Sequence, residues 1–158
     1  MNQDTKLFHV ALVEPQIPQN TGSIARTCAA LQCPLYIVGE AGFKITEKNV
    51  RRAGLDYWPY VKLQELKDFE GFTNAAKPKK IWCLTKFAPR PYYSANFEPG
   101  DALVFGSETK GLGSDFLSQI PAENQLRIPM LCDGVRSLNL SNAVSIVLYE
   151  AMKQINAI

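Results

Sequence analysis

Short apolar runs alternate along this chain with segments in which apolar residues recur every three or four positions. The runs predict buried strands, and the spacing of three and four predicts helices with one buried face. The predicted strands are residues 8–13, 35–38, 58–63, 81–84 and 102–105, and the predicted helices are residues 20–31, 46–53, 65–72 and 114–120. This alternation predicts an α/β fold with a mainly parallel sheet flanked by helices.

The most clearly amphipathic helix closes the chain. Its apolar stripe after Leu140 consists of Val144, Val147, Leu148, Ala151 and Ile155. Polar and apolar residues alternate just before it, so Ser137 and Asn139 share one side of an extended segment. A helix that begins here directs free backbone N–H groups and its positive dipole end toward the loop. The polar residues are therefore either helix caps or one wall of a ligand site.

Length and composition set the limits for the whole chain. Its 158 residues fit a single domain, residues 1–158, and its net charge of +2 is too small for a protein that coats nucleic acid. The four cysteines include no Cys-x-x-Cys pair, so we expect reduced thiols and no metal. No run approaches the roughly 18 apolar residues of a membrane helix. We therefore expect a cytoplasmic protein with no membrane association.

The loop at residues 106–112 follows a predicted strand and is a candidate ligand site. It is not a P-loop, because Leu112 follows Gly111 where that motif needs Lys, and the chain has no Gly-x-Gly-x-x-Gly segment. Two interpretations remain. The loop either binds a small ligand, with Gly106 allowing close approach of the backbone to that ligand, or it is a tight turn.

A second candidate loop leads into the first predicted helix. Asn20 or Thr21 is the expected cap of that helix, and Arg26 follows Asn20 by about one and a half turns. Arginine is poorly suited to act as a base, but it binds phosphate through two N–H groups and can stabilise a developing alkoxide.

Cationic and aromatic residues follow one another in the middle of the chain. The cations are Lys44, Lys48, Arg51 and Arg52, and the aromatic residues are Tyr57, Trp58 and Tyr60. Such a cluster is either a solvated face or a binding site for single-stranded RNA, in which aromatic planes stack on bases.

Three segments together resemble the three motifs of the SPOUT methyltransferases. They are residues 18–27, residues 105–112, and residues 128–144, which begin with Ile-Pro-Met and contain the run Ser-Leu-Asn-Leu-Ser-Asn-Ala-Val. Their order and spacing are similar to the branch that methylates RNA ribose 2'-hydroxyls, and most similar to its members that act on cytidine or uridine 34 of tRNA. Residues 51–57 also resemble that branch, so the resemblance covers nearly the whole chain.

The resemblance implies a fold, a cofactor and a set of site residues. The fold is an α/β domain whose C-terminal part forms a deep trefoil knot, and the cofactor is S-adenosylmethionine. The positions matching catalysis or site architecture are Asn20, Arg26, Glu108 and Asn139, and those matching cofactor contacts are Leu84, Gly106, Ile128 and Ser137. From the cationic cluster we expect Lys48, Arg51 and Arg52 to contact RNA.

The implied reaction is 2'-O-methylation of the ribose at wobble nucleotide 34, within the tRNA anticodon loop. The alternatives are methylation of another tRNA or rRNA position, and a non-catalytic RNA-binding module that keeps the fold. Tyr149 and Met152 add apolar surface to the closing helix, and members of this family form homodimers. We therefore expect a homodimer.

Overall fold

A six-stranded parallel sheet forms the centre of the protein in a computed structural model that describes residues 7–50 and 57–158. The strands are β1 (Phe8–Val13), β2 (Leu35–Val38), β3 (Leu63–Leu66), β4 (Ile81–Leu84), β5 (Asp101–Phe105) and β6 (Gln125–Leu126). The helices are α1 (Pro18–Ala30), α2 (Glu47–Val50), α3 (Phe69–Ala76), α4 (Ser114–Leu117) and α5 (Leu140–Gln154). The strand order is β3-β2-β1-β5-β4-β6, and every pairing is parallel.

Helices cover both faces of the sheet, because alternate residues of its central strands point to opposite sides. In β1, Val10 and Leu12 join the core cluster that contains residues of α1 and α5. Ala11 joins the second cluster, which contains Phe72 of α3 and is contacted by residues of α4. The predicted α/β class with a mainly parallel sheet is confirmed.

The segment between β2 and β4 differs from its prediction. The strand expected at residues 58–63 is wrong, since Trp58–Tyr60 form a 3₁₀ turn and the strand runs over Leu63–Leu66. Pro59 has no N–H for a sheet ladder, which disfavours a strand there. The helix expected at residues 65–72 begins instead at Phe69, because the Asp68 side chain accepts a hydrogen bond from Gly71 N at 2.8 Å and caps it.

One other predicted helix ends earlier than expected. The helix expected at residues 114–120 is regular only over Ser114–Leu117, because Pro121 disfavours helical geometry in the residue before it. Within the described residues, the helix expected at 46–53 covers Glu47–Val50. The short strand β6 was not predicted, since two residues carry too little pattern to be recognised.

The carboxyl ends of β4, β5 and β6 lie side by side at one edge of the sheet. Leu84 is in register with Phe105 on one side and with Leu126 on the other. Loops that follow parallel strands gather at this edge, where α/β proteins bind their ligands. The knot implied for the C-terminal part stays a prediction, because strand order and pairing do not trace the passage of a chain through a loop.

Between residues 7–50 and 57–158, no helix is long and apolar enough to cross a bilayer. Over the same ranges, no group of three or more His, Cys, Asp or Glu side chains is placed as metal ligands are.

Candidate functional site

The carboxylate of Glu108 holds the start of α1. Its Oε2 accepts a hydrogen bond from Gln16 N at 2.8 Å, and its Oε1 accepts from Ile17 N at 3.2 Å and from Asn20 Nδ2 at 3.3 Å. Ile17 occupies the N-cap position of α1 and has no side chain that could cap it. A negative charge at this place also interacts favourably with the helix dipole. A loop far along the chain thus supplies what a local cap usually supplies.

This contact corrects the expected role of Asn20. Asn20 and Thr21 were predicted to cap α1, but the helix begins at Pro18 and both residues lie buried in its first turn. Pro at the first helical position is favourable, because its missing N–H has no helical partner there. The Asn20 amide is therefore free to make contacts outside its own helix.

Asn139 connects the starts of the two helices. Its Oδ1 accepts from Ser141 N at 2.9 Å and from Asn142 N at 3.4 Å, which caps α5, and its Nδ2 donates to Asn20 Oδ1 at 3.0 Å. The predicted cap of the closing helix is confirmed. The Asn139 side chain thus caps the start of α5 and orients Asn20 of α1.

Glu108, Asn20 and Asn139 together form one hydrogen-bonded row, in which Asn20 uses both sides of its amide. The row brings together the three segments that resemble the family motifs. Asn20 is 88 positions from Glu108 and 119 positions from Asn139 in the sequence. Both asparagine amides are fixed in one orientation. Rotating either amide by 180° would place two acceptor oxygens against each other, at Glu108 Oε1 for Asn20 and at Asn20 Oδ1 for Asn139.

A cleft of about 360 Å³ opens between α1 and α5 beside this row. Its walls carry mainly hydroxyl, amide and guanidinium groups, and they consist of Ser23, Arg26, Thr27, Tyr57, Ser141, Asn142 and Ser145. Thr27 Oγ1 and Ser145 Oγ lie 3.4 Å apart and link the two helices. Such a surface suits a ligand with many hydroxyl and phosphate oxygens.

Arg26 supplies the positive charge of the cleft. Its side chain is exposed, and its Cζ lies 5.8 Å from the centre of the Tyr57 ring. The Tyr57 hydroxyl donates to Gly22 O at 2.9 Å, which fixes the ring against α1. The guanidinium therefore lies beside a fixed aromatic ring, in a cleft that Ser141 and Asn142 at the start of α5 also line.

Three of the four residues predicted to contact a cofactor lie together. Leu84 ends β4, Gly106 directly follows β5, and Ile128 comes two residues after β6. Leu84 and Ile128 are half-buried and pack against the larger core cluster. Ser137 lies in the exposed segment 131–139 that leads to α5.

Gly106 lies against the backbone of its own loop. A Cβ there would lie 2.1 Å from Gly111 C and 2.4 Å from Leu112 N. The loop closes on itself, since Ser107 N donates to Gly111 O and Gly111 N donates to Ser107 O. The tight-turn interpretation of residues 106–112 is therefore correct for its backbone, and the turn carries Glu108 to α1.

Two buried side-chain polar atoms in the described part of the chain have no hydrogen-bond partner. They are Thr21 Oγ1, beside Asn20, and Arg127 Nη1, beside Ile128. A buried guanidinium nitrogen without a partner is unfavourable unless a ligand supplies an acceptor. The sequence reasoning did not consider Arg127 as a site residue, although a charge within the apolar run of residues 126–130 was a usable signal.

Three other hydroxyl residues that line the cleft were not predicted as site residues, namely Ser23, Thr27 and Ser145. Pairs of hydroxyl residues four positions apart on both helices were the available signal, since such residues share a face. Among the expected RNA contacts, Lys48 is exposed on α2, which packs against α1. Arg51 and Arg52 lie outside the described residues.

Three of the four cysteines are buried core residues. Burial raises the pKa of the Cys33 thiol to about 11 and that of the Cys83 thiol to about 12, and it raises the pKa of Cys28 well above its ordinary value. Cys132 is exposed. The buried thiols are therefore uncharged near neutral pH and take no part in the site.

Comparisons with known proteins agree with this arrangement. The sequence profile of the SpoU rRNA Methylase family matches residues 7–149. The tRNA (cytidine(34)-2'-O)-methyltransferase of Escherichia coli K12 is 42% identical over 149 residues, which cover 94% of each chain. A solved structure described as giving insights into the 2-OH methylation of C/U34 on tRNA matches with a TM-score of 0.88 and 39% identity, covering 98% of this chain and 94% of that one.

A more distant structure shares the fold. It is the SpoU methyltransferase AviRb from Streptomyces viridochromogenes, solved in complex with the cofactor AdoMet. The match has a TM-score of 0.81 and 24% identity, and it covers 96% of this chain and 59% of that one.

Proposed function

Because this chain belongs to the SpoU rRNA Methylase family, we propose that it transfers the methyl group of S-adenosylmethionine to the ribose 2'-hydroxyl of nucleotide 34, a cytidine or uridine, in tRNA. The relative in Escherichia coli has this activity by name and matches almost end to end. The structural observation that carries the proposal is the row Glu108, Asn20 and Asn139 beside the Arg26 cleft. It gathers all three motif segments at one polar site.

The residues at the sheet edge fit S-adenosylmethionine. Leu84 and Ile128 would offer half-buried apolar surface to the cofactor, and we expect Gly106 and Ser137 to contact it as well. The unpartnered Arg127 Nη1 offers a donor to an anionic oxygen. When bound, this cofactor supplies a methyl group that its sulfonium has already activated. The main task of the protein is then to position the hydroxyl for attack.

Arg26 holds the reacting nucleotide through charge. Its guanidinium is exposed in the cleft, where two N–H groups can bind one phosphate. A fixed positive charge near the ribose also stabilises the alkoxide that forms as the hydroxyl loses its proton. Arginine keeps its own proton, so the hydroxyl proton leaves to another acceptor.

Asn20, Glu108 and Asn139 position the site. Glu108 and Asn139 fix the starts of α1 and α5, and these two helices carry the residues that form the cleft. Asn20 joins the two and prevents them from shifting independently. A shift of about 1 Å at a reacting group is enough to slow catalysis strongly.

The active form is a homodimer. Large apolar side chains are exposed near the start of α1, in the segment before α5 and on α5 itself, and they are Ile17, Leu131, Val135, Leu138 and Tyr149. Leu131 is fully exposed. Large apolar side chains that stay exposed favour a surface that a partner covers. A second copy of this chain is the partner that the resemblance implies.

The tRNA anticodon loop binds along the cleft and at the cationic residues in the middle of the sequence. Lys48, Arg51 and Arg52 contact phosphates, so the affinity for RNA falls steeply as salt is added. A tRNA substrate also implies that the protein works in the cytoplasm.

The experiment that tests this function is incubation with bulk tRNA and S-adenosylmethionine labelled in its methyl group. Digestion and mapping of the labelled nucleotide then give its position. We expect a ribose-methylated nucleotide at position 34. Label at another tRNA position or in rRNA would assign the enzyme to a different substrate. RNA binding that is equal with and without cofactor, and that leaves no methylated nucleoside, would identify a non-catalytic module.

A further inference from the structure

An exposed aromatic ring stands at the sheet edge that holds the expected cofactor residues. Phe87 follows β4 and is 77% exposed. The Nζ of Lys86 lies 5.2 Å from the centre of the Phe87 ring, a cation–π contact.

The exposure of Phe87 is fixed by its backbone. Phe87 N donates to Thr85 Oγ1, and Ala88 N donates to Thr85 O, both at 3.3 Å, so residues 85–88 form a tight turn. Thr85 N donates to Leu126 O at 2.8 Å and ties the turn to β6. Ala88 is buried and anchors the other end. An ordered turn therefore holds the ring at the surface.

The ring lies close to where the cofactor is expected. Phe87 comes three residues after Leu84, a distance that extended chain covers in at most about 11 Å. RNA that approaches the expected cofactor can therefore also reach Phe87.

The charge around the ring favours RNA as the occupant. Besides Lys86, the turn is followed by Arg90, whose guanidinium donates to Glu123 O at 2.7 Å and to Ser94 O at 2.8 Å. Both acceptors are neutral carbonyl oxygens, so these bonds fix the position of the positive charge without neutralising it. An aromatic plane beside a cation suits an unpaired base and its phosphates.

We propose that Phe87 is a stacking platform for an unpaired base of the anticodon loop that neighbours the methylated nucleotide, with Lys86 contacting the adjoining phosphate. The proposal rests on the tRNA methylation inferred above and adds a contact that recognises the RNA. Stacking does not depend on base identity, so this contact strengthens RNA binding in general and does not select one base.

The test compares substitutions of Phe87 by the affinity of the full-length protein for an RNA of the anticodon stem and loop. Phe87→Ala and Phe87→Leu are expected to weaken this affinity by about 5-fold to 150-fold, the value of one base stack. Phe87→Trp is expected to keep the wild-type affinity, because it keeps an aromatic plane. RNA should also quench the fluorescence of the indole introduced at this position. Phe87→Leu is the matched control, because it keeps an apolar side chain and removes only the ring.

Further measurements separate stacking from other effects. Binding of S-adenosylhomocysteine and the mass in sedimentation are expected to match the wild type in all three variants. Lys86→Met is expected to lower the salt dependence of RNA binding, with a change in log–log slope of about 0.7.

Wild-type RNA affinity in Phe87→Leu would overturn the proposal and indicate an apolar contact. A change of mass in sedimentation would overturn it as well and would assign Phe87 to an interface with another chain. These results can be told apart from a failure of the proposed function, because RNA affinity is measured directly. If the proposed function fails, the wild type itself methylates no tRNA.

Discussion

Asn139 Nδ2 donates to Asn20 Oδ1 at 3.0 Å, and this hydrogen bond joins the start of the last helix to the start of the first. Asn139 Oδ1 meanwhile caps α5. Asp caps helices as well as Asn does, but it has no N–H group to donate. We therefore predict that Asn139→Asp keeps the free energy of unfolding within about 0.5 kcal/mol of the wild type and loses most of its turnover.

Asn139→Ala is the control for the cap. It removes both contacts, so we expect a loss of about 1 kcal/mol in urea unfolding in addition to the loss of turnover. Full turnover in Asn139→Asp would show that the bond to Asn20 has no part in positioning the site.

Arg26 is predicted to act on turnover rather than on cofactor binding. Arg26→Ala should lower kcat for tRNA methylation by about 10²-fold to 10³-fold, the usual effect of removing one charge-stabilising donor group. Calorimetry with S-adenosylhomocysteine should give an affinity close to that of the wild type. Arg26→Lys keeps the charge without the two parallel N–H groups, and we expect only partial recovery. Near-normal turnover in Arg26→Ala would refute the assigned role.

Gly106 and Gly134 form a matched pair for testing the turn. A Cβ at Gly106 would lie 2.1 Å from Gly111 C, whereas a Cβ at Gly134 would meet only Cys132 Sγ at 3.6 Å, an ordinary contact. Gly106→Ala should therefore destabilise the fold by about 1–3 kcal/mol in urea unfolding and displace Glu108. Gly134→Ala should stay within about 0.5 kcal/mol of the wild type. Equal stability of the two variants would argue against the close approach.

The cysteines predict a thiol count and a pH dependence. Only Cys132 is exposed, so Ellman's reagent at pH 8 should modify one thiol of four in the folded protein and all four in denaturant. Burial raises the pKa of Cys33 to about 11 and that of Cys83 to about 12. Unfolded thiols lose their protons near pH 8.5, roughly. The free energy of unfolding should therefore fall as the pH rises above about 9.

Cys83→Ala serves as the control for the pH dependence. It lowers stability at pH 7 through the lost packing, and it should also make the decline above about pH 9 less steep, because one titrating group is gone. An unchanged decline would assign the pH dependence to other groups.

The dimer is predicted to need the exposed face of α5. Tyr149, 46% exposed on that helix, should contact the second copy. We expect wild-type protein to sediment as a dimer at micromolar concentration, and Tyr149→Glu to shift it toward the monomer and reduce turnover. Tyr60→Glu, at a ring that is 73% exposed before the edge strand β3, is the control and should remain dimeric. A wild-type monomer would contradict the prediction.

The sheet was largely predictable because its central strands are wholly buried. Both faces of β1 and β5 are covered by helices, so these strands are continuous apolar runs that stand out in the sequence. The edge strands were harder to predict. Leu63–Leu66 has two exposed residues, and β6 has only two residues in all, so neither carries a full pattern.

The sequence predicted which residues belong to the site better than it predicted their contacts. Resemblance brought together Asn20, Glu108 and Asn139, and the structure places them in one hydrogen-bonded row. That Glu108 would take over the capping of α1 depends on a turn 88 positions away, which no local signal encodes. Position 106 has no room for a side chain because the chain's own backbone lies against it. This contact likewise exists only once the loop is folded.

The place of β1 in the sheet has a consequence for synthesis of the protein on the ribosome. β1 is the first strand to emerge, yet it lies between β2 and β5, and its β5 side stays unpaired until residues 101–105 have been added. At roughly 5–20 residues per second, the interval between completion of β2 and the start of β5 lasts about 3 to 13 seconds. During that interval the nascent chain exposes the open edge of a strand made almost entirely of buried residues. Chaperones that shield apolar segments therefore have their clearest target on this protein before β5 has been synthesised.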